Sequence, residues 1–547
     1  MDYKQLAELL FSESTESITY YEEKMFPDRR LKEGAKVTRL APSPTGFIHL
    51  GNLYGAFVDE RLAHQSDGVF MLRIEDTDEK RKVEGAVQTI ISSLEYFGLQ
   101  FDEGATINGE IGNYGPYFQS HRGKIYQAIA KYLVEIGRAY PCFCTEEELS
   151  EIREEQIKES VNTGYYGKWA KYRDASLEEI EHHLQNKEPY VLRLKSLGED
   201  EETFEIEDAI RGKLTMPVNQ QDIVLLKANG IPTYHFAHVV DDHLMKVTHV
   251  VRGEEWLSTL PIHYELFTIL GWDLPVYCHT ALLMKMDNGA KRKLSKRKDP
   301  ELGLNYYKSL GYHPEAVREY LMTILNSNFE EWRIANPEAD IAEFNFSLNK
   351  MSNSGALFDL NKLNDISKDV LIKIHVEEIY AFLLQWATEY KTEVVHLLIN
   401  YKEEVQKLLS VGREDKNPRK DLIYCEQIFE FIHYFFDEFY TMEDSYPENI
   451  DETEAKTLLK DYLESYKHDD DQSEWFNKIR EIAISHGYAA KPKDFKKNPE
   501  LYKGHVGDVS TVVRLAIVGR TTSPDVWSLQ QIMGEDKVKK RIRNVIE

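Results

Sequence analysis

The sequence predicts an α/β protein whose doubly wound parallel sheet is interrupted by an insertion and followed by an all-α half. Three patterns carry that prediction. Val37 to Ala41 has the character of a short buried strand, Pro42 to Gly46 cannot remain in a ladder, and Leu53 to Ala63 resumes with a helical period. Strand and helix then alternate as far as Gln119, with Val69 to Ile74 a second strand and Val83 to Phe97 a helix, the order that builds a parallel sheet. From about Val370 nearly every segment has the 3.6-residue period, as in Val538, Ile542 and Val545 beside Lys539, Lys540 and Arg543.

In chain order, Met1 to Glu33 precedes the first strand and carries Leu6, Leu9, Leu10 and Phe11 at amphipathic spacing, which predicts an extra helix packed on the α/β domain. His121 to about Asp222 interrupts the sheet, beginning with helices and including the strand-like Tyr190 to Lys195. The sheet is expected to resume with 222–227, 233–240 and 246–252 and to close near Leu282, and Tyr306 to Leu325 reads as helix.

At 547 residues the chain has room for three or four domains, and 42% hydrophobic with 29% charged residues is ordinary for a globular protein. No run approaches the roughly 20 apolar residues of a membrane helix, the N-terminus lacks a signal-peptide layout, and four cysteines make no disulfide framework. A cytoplasmic location is expected. The net charge of −26 is uneven: 198–208 and 330–343 are acid-rich, whereas 32–39, 291–298, 491–503 and 537–543 are basic islands. Net acidity suppresses indiscriminate polyanion binding, while islands can still neutralise chosen phosphates. Taken singly, each island reads as solvated surface.

A helix opening after a Pro/Gly turn aims free N–H groups and a positive dipole end at one point, a ready phosphate site, with His49 and Gly51 beside it. Pro42-Ser-Pro-Thr-Gly-x-x-His-x-Gly51 resembles the "HIGH" signature of class I aminoacyl-tRNA synthetases in its glutamyl form, and Lys293-Leu-Ser-Lys-Arg297 resembles the "KMSKS" loop. Between them, Arg73 to Asp78, Asp241 to Met245 and Val251 to Trp256 match in order. The chain is thus identified as resembling bacterial-type glutamyl-tRNA synthetases over most of 37–547.

The resemblance implies a Rossmann-like catalytic domain in two halves (36–120 and 223–290) around an inserted α+β acceptor-stem domain (121–222). A stem-contact region with the KMSKS-like loop (291–370) and a helical anticodon-binding domain (371–547) would follow, after an N-terminal helical extension (1–35). It implies ATP as substrate with Mg²⁺, L-glutamate and tRNA(Glu) as partners, no membrane, and a monomer. His49, Lys293 and Lys296 become catalytic candidates, since joining an anion to a polyanion needs placed positive charge more than a base. Gly51, Glu255, Leu283, Leu294, Ser295 and Arg297 would complete the ATP site. Arg39, Ala41, Ser43, Glu75, Tyr234, His238 and Arg252 would hold the amino acid, two cations for two carboxylates and an anion for the ammonium. Cys142-x-Cys144 is half a zinc site, but Trp169 stands where relatives place a further cysteine, so no metal is expected. Phe429, Phe431, Tyr434, Phe435 and Phe436 are either helical core or anticodon-stacking surface, core being the commoner use.

Overall fold

The computed structural model describes residues 1–44, 48–78, 83–295 and 297–547. Val37–Leu40 pairs in parallel with Val69–Leu72, which pairs in parallel with Glu103–Thr106, and the hairpin strand Gly109–Ile111 ends that edge. Every residue of the first two strands is buried, as expected of parallel strands covered on both faces. On the other side the Val37 carbonyl accepts the Thr248 backbone N–H (2.9 Å) and the Val37 N–H donates to the Thr248 hydroxyl (2.8 Å). His249–Gly253 therefore runs beside the first strand and pairs in parallel with Val276–Thr280. The sheet divides at the strand whose C-terminal end leads into the helix opening at His49, which is where a doubly wound sheet leaves a crevice.

Three expectations need correction. Residues 233–240 are not a strand: Tyr234–Leu244 is a helix, buried on so many sides at Phe236, Ala237, Val239, Val240 and Leu244 that its apolar run hides the helical period. Val224–Leu226 does not rejoin the parallel sheet but pairs antiparallel with Val191–Leu194, which pairs with Ala139–Cys142. Conversely, the hairpin Thr203–Asp208 and Gly212–Pro217 falls inside the expected interruption yet lies against Val276–Thr280. The strand-like 190–195 is real and sits at the centre of its three-stranded sheet. The helix read over 306–325 is broken into Leu304–Leu310 and Pro314–Leu325 around Gly311, whose φ of +76° suits glycine.

The N-terminal helix Tyr3–Leu10 packs on Gly123–Glu135 and buries Leu6 and Ala7, while Lys131 reaches Glu8 (2.8 Å). The rest of the extension is tied to the sheet: Arg29 pairs with Glu103 (2.8 Å) and donates to the Met245 carbonyl (3.1 Å).

Contacts group the chain into two compact units, 1–306 with 318–359, and 307–317 with 360–547. The second is helical, and its starts are written in the sequence: Asp451, Asp471 and Asp525 cap helices by accepting backbone N–H groups. Phe429, Tyr434, Phe435 and Phe436 lie in its core with Leu408 and Ile432, and Phe431 is half-buried beneath the Arg419 guanidinium.

Candidate functional site

His49 closes the turn after the first strand as the N-cap of helix Leu50–His64. Its Nδ1 accepts the Asn52 N–H (3.3 Å) while Asn52 Oδ1 accepts the His49 N–H (3.1 Å). With Nδ1 committed as an acceptor, the neutral ring carries its proton on Nε2, so the imidazole presents a donor. Gly51 leaves room for this ring, since a Cβ there would lie 3.1 Å from Nδ1 and Cε1. Asn52, a departure from the second histidine of the signature, is thus the reciprocal half of a capping box.

A cleft of about 1010 Å³ opens at this helix start. His49, Gly51, Lys293, Leu294, Ser295 and Leu283 line it together with Arg39, Ala41, Ser43, Glu75, Tyr234, Arg252 and Glu255. Two residues 244 positions apart in sequence, His49 and Lys293, therefore face one cavity. Lys293 ends the strand Ala290–Lys293, paired with Leu283–Asp287. The following loop is anchored by Asp299, which accepts the Ser295 N–H (2.8 Å) and two guanidinium bonds from Arg292 (2.7 and 2.8 Å). Arg292 holds the Asp299 carboxyl well below the usual carboxylate range. Arg297 is exposed and does not line the cleft, and Lys296 lies outside the described residues. His238 is fully buried behind the wall, with its ring 3.1 Å from Asp242 and 3.5 Å from Arg39, and does not line the cleft either.

The wall is set by an ionic cluster inside the protein. Asp242 accepts Arg39 Nε (3.1 Å) and Arg73 Nη1 (2.7 Å), and Arg73 Nη2 donates to Glu75 (3.3 Å). Beside it, Asp241 accepts Arg122 Nε (2.6 Å), the Tyr126 hydroxyl (2.8 Å) and Gln119 Nε2 (2.9 Å). Arg73 to Asp76 is thus interior, although a run of this composition is ordinarily a surface ion-pair cluster. Burial pushes the Glu75 carboxyl up to about 7, opposed by Arg73 and Arg39, and pushes the Tyr234 hydroxyl up to about 12. Trp256 packs on the Tyr234 ring, centroids 4.6 Å apart. A Cβ on Gly253 would meet Glu255 Oε2 at 2.1 Å, so a larger residue there would push that carboxylate aside.

Arg252 is held differently. Its Nε donates to His279 Nε2 (2.9 Å), its Nη1 lies 3.0 Å from His263 Nδ1, and its guanidinium stands 4.8 Å from the Tyr277 ring. Nη2 is buried with no hydrogen-bond partner, and no carboxylate lies within ion-pair distance of Arg252 among the described residues.

Residues 36–365 match a family model described as tRNA synthetases class I (E and Q), catalytic domain, and residues 420–546 match one described as an anticodon binding domain. A glutamate–tRNA ligase from Acetivibrio thermocellus is 74% identical over 546 residues, covering all of both chains. The ligase of Clostridium perfringens strain 13 is 48% identical, covering 99% of this chain and all of its own. The crystal structure of a glutamate tRNA ligase from Elizabethkingia meningosepticum in complex with its amino acid aligns with a TM-score of 0.72 at 29% identity, over 93% of this chain and 99% of that one.

The chain belongs to the glutamate–tRNA ligase family.

For a glutamate–tRNA ligase most of the site residues expected from the sequence line the cleft, but the sequence did not give their supports. Asp241 and Asp242 stood in a recognised segment without a role, and Gln119, Asp208, His263 and His279 gave no signal, because what they do depends on partners far along the chain. Cys142 Sγ donates to the Tyr165 hydroxyl (3.3 Å), which Cys144 Sγ meets at 3.4 Å, and the neighbouring Cys144 draws the Cys142 thiol below the usual thiol range. Among the described residues no group of three or more His, Cys, Asp or Glu side chains is placed to hold a metal. Asp242→Ala leaves two buried guanidinium groups short of a counter-charge and should cost about 3–5 kcal/mol of stability, measured by denaturant unfolding of the catalytic unit.

Proposed function

We propose that the cleft joins L-glutamate to the 3′-terminal adenosine of tRNA(Glu) at the expense of ATP, through glutamyl-adenylate. The observation that carries this is Arg252: a buried cation whose Nη2 has no partner fits an anionic ligand with a second carboxylate, and a neutral amide would forfeit the charge-assisted pair. Arg39 stands by the α-carboxylate, and Glu75 by the ammonium. The α-carboxylate is ionised at neutral pH and needs no base to attack the α-phosphorus; the P–O bond to pyrophosphate breaks as the new one forms. His49 Nε2–H and Lys293 supply donors for the charge on the triphosphate, and the family signature adds Lys296. Mg²⁺ enters with ATP, bound by phosphate oxygens and water. The 2′-hydroxyl of the adenosine then attacks the mixed anhydride, releasing AMP, with positioning doing more than a dedicated base.

The match of 420–546 to an anticodon-binding model supports tRNA as the acceptor, and the antiparallel sheet containing 139–142 and 191–194 is the candidate for gripping its stem end. A monomeric, cytoplasmic enzyme accords with this reading.

Pyrophosphate should exchange into ATP only when glutamate is present, with tRNA(Glu) added if the enzyme alone gives no exchange; no exchange under either condition would overturn the assignment. Arg252→Ala should raise the KM for glutamate about a hundredfold or more while the KM for ATP stays put. Because Glu75 takes up a proton below about pH 7, kcat/KM for glutamate should fall as pH drops through that value, and Glu75→Gln should be poor at all pH and lack this limb.

A further inference from the structure

Arginines near the cleft are neutralised by carboxylates, but among the described residues Arg252 is not. Arg39, Arg73 and Arg122 each face Asp241 or Asp242, whereas Arg252 is bonded to two imidazoles. The bonding fixes the state of those rings. His279 Nε2 accepts from Arg252 Nε, so that nitrogen is a lone pair and the ring proton sits on Nδ1, which donates to Asp208 Oδ2 (2.6 Å). Asp208 is itself pinned by the N–H groups of Ile210 (3.0 Å), Arg211 (2.9 Å) and His279 (3.1 Å). His263 Nδ1 accepts from Arg252 Nη1, which leaves its proton on Nε2, 3.1 Å from His235 Nδ1. Both rings are fully buried and uncharged, so they orient the guanidinium from two directions without cancelling its charge.

We propose that His263 and His279 are positioning residues that hold Arg252 with neutral acceptors, reserving its charge for the side-chain carboxylate of the substrate and so setting preference for glutamate over glutamine. This rests on the reading of Arg252 given above. A carboxylate at either position would orient Arg252 equally well but pair with it, and the substrate would then be asked to displace an existing ion pair. The hairpin strand Thr203–Asp208 has a purpose in this scheme: by lying against Val276–Thr280 it delivers Asp208 to His279 and fixes the tautomer through which Arg252 is held.

The test compares substitutions that differ only in charge, in the full-length enzyme, by glutamate-dependent pyrophosphate exchange. Asparagine and aspartate at 263 both place an oxygen near the present Nδ1. His263→Asn should keep the KM for glutamate within about threefold, whereas His263→Asp should raise it about tenfold or more, leave the KM for ATP unchanged, and narrow the glutamate-to-glutamine ratio by a similar factor. Should the 263 pair fail to fold, judged by thermal unfolding, His279→Gln and His279→Glu pose the same comparison at Nε2. Equal losses within a pair, or an aspartate variant binding glutamate as tightly as the parent, would overturn the inference. Arg252→Ala separates it from the reading beneath it: an unchanged glutamate KM there sinks both, while a raised one with no separation within the pair sinks only this proposal.

Discussion

Two adjacent carboxylates on one buried helix, Asp241 and Asp242, hold this catalytic unit in register. Through Asp242 the first strand is tied to the residue that follows the second, Arg39 to Arg73, and through Asp241 the helix Tyr234–Leu244 is fastened to Arg122 and Gln119. Charges this deep are tolerable only when each is paired and hydrogen-bonded, so the elements that contribute them have little freedom to shift. Arg39 and Glu75 reach the cleft as the outermost members of that cluster. Their positions are a by-product of neutralising the interior.

Against this background the treatment of Arg252 stands out. Carboxylates neutralise Arg39, Arg73 and Arg122, whereas Arg252 rests on imidazoles and an aromatic face. A buried cation left with only neutral neighbours is costly to fold and is stabilised when an anion arrives, which is the electrostatic condition for selecting a ligand by charge. At the other end of the cleft the same economy of means appears in His49, where one nitrogen caps the helix and the other is thereby fixed as a donor.

Much of this was legible. Local rules gave the strand–turn–helix at 37–63, the buried second strand and the helical C-terminal half, because Pro, Gly, caps and apolar spacing act within a few residues. The lining of the cleft was legible as well, but through resemblance of ordered segments and not through periodicity. What misled was burial from several sides: Tyr234–Leu244 is apolar on so many faces that it read as a strand, whereas the aromatic run 429–436, for which core was the commoner reading, does pack mainly in the core. Among the described residues of the expected set, His238 behind the wall and Arg297 on the surface stand apart, and they show that a matching position does not by itself place a side chain in a cavity.

The amino-acid sequence by itself determined the strand–turn–helix at 37–63, the helical C-terminal half, and the set of charged side chains available for chemistry. Only the tertiary structure decided which of those charges cancel and which remain. Pairing depends on residues some 120 to 210 positions apart coming within 3 Å or so, and on strand 203–208 lying beside 276–280 across an interruption, and neither distance leaves a trace in local pattern.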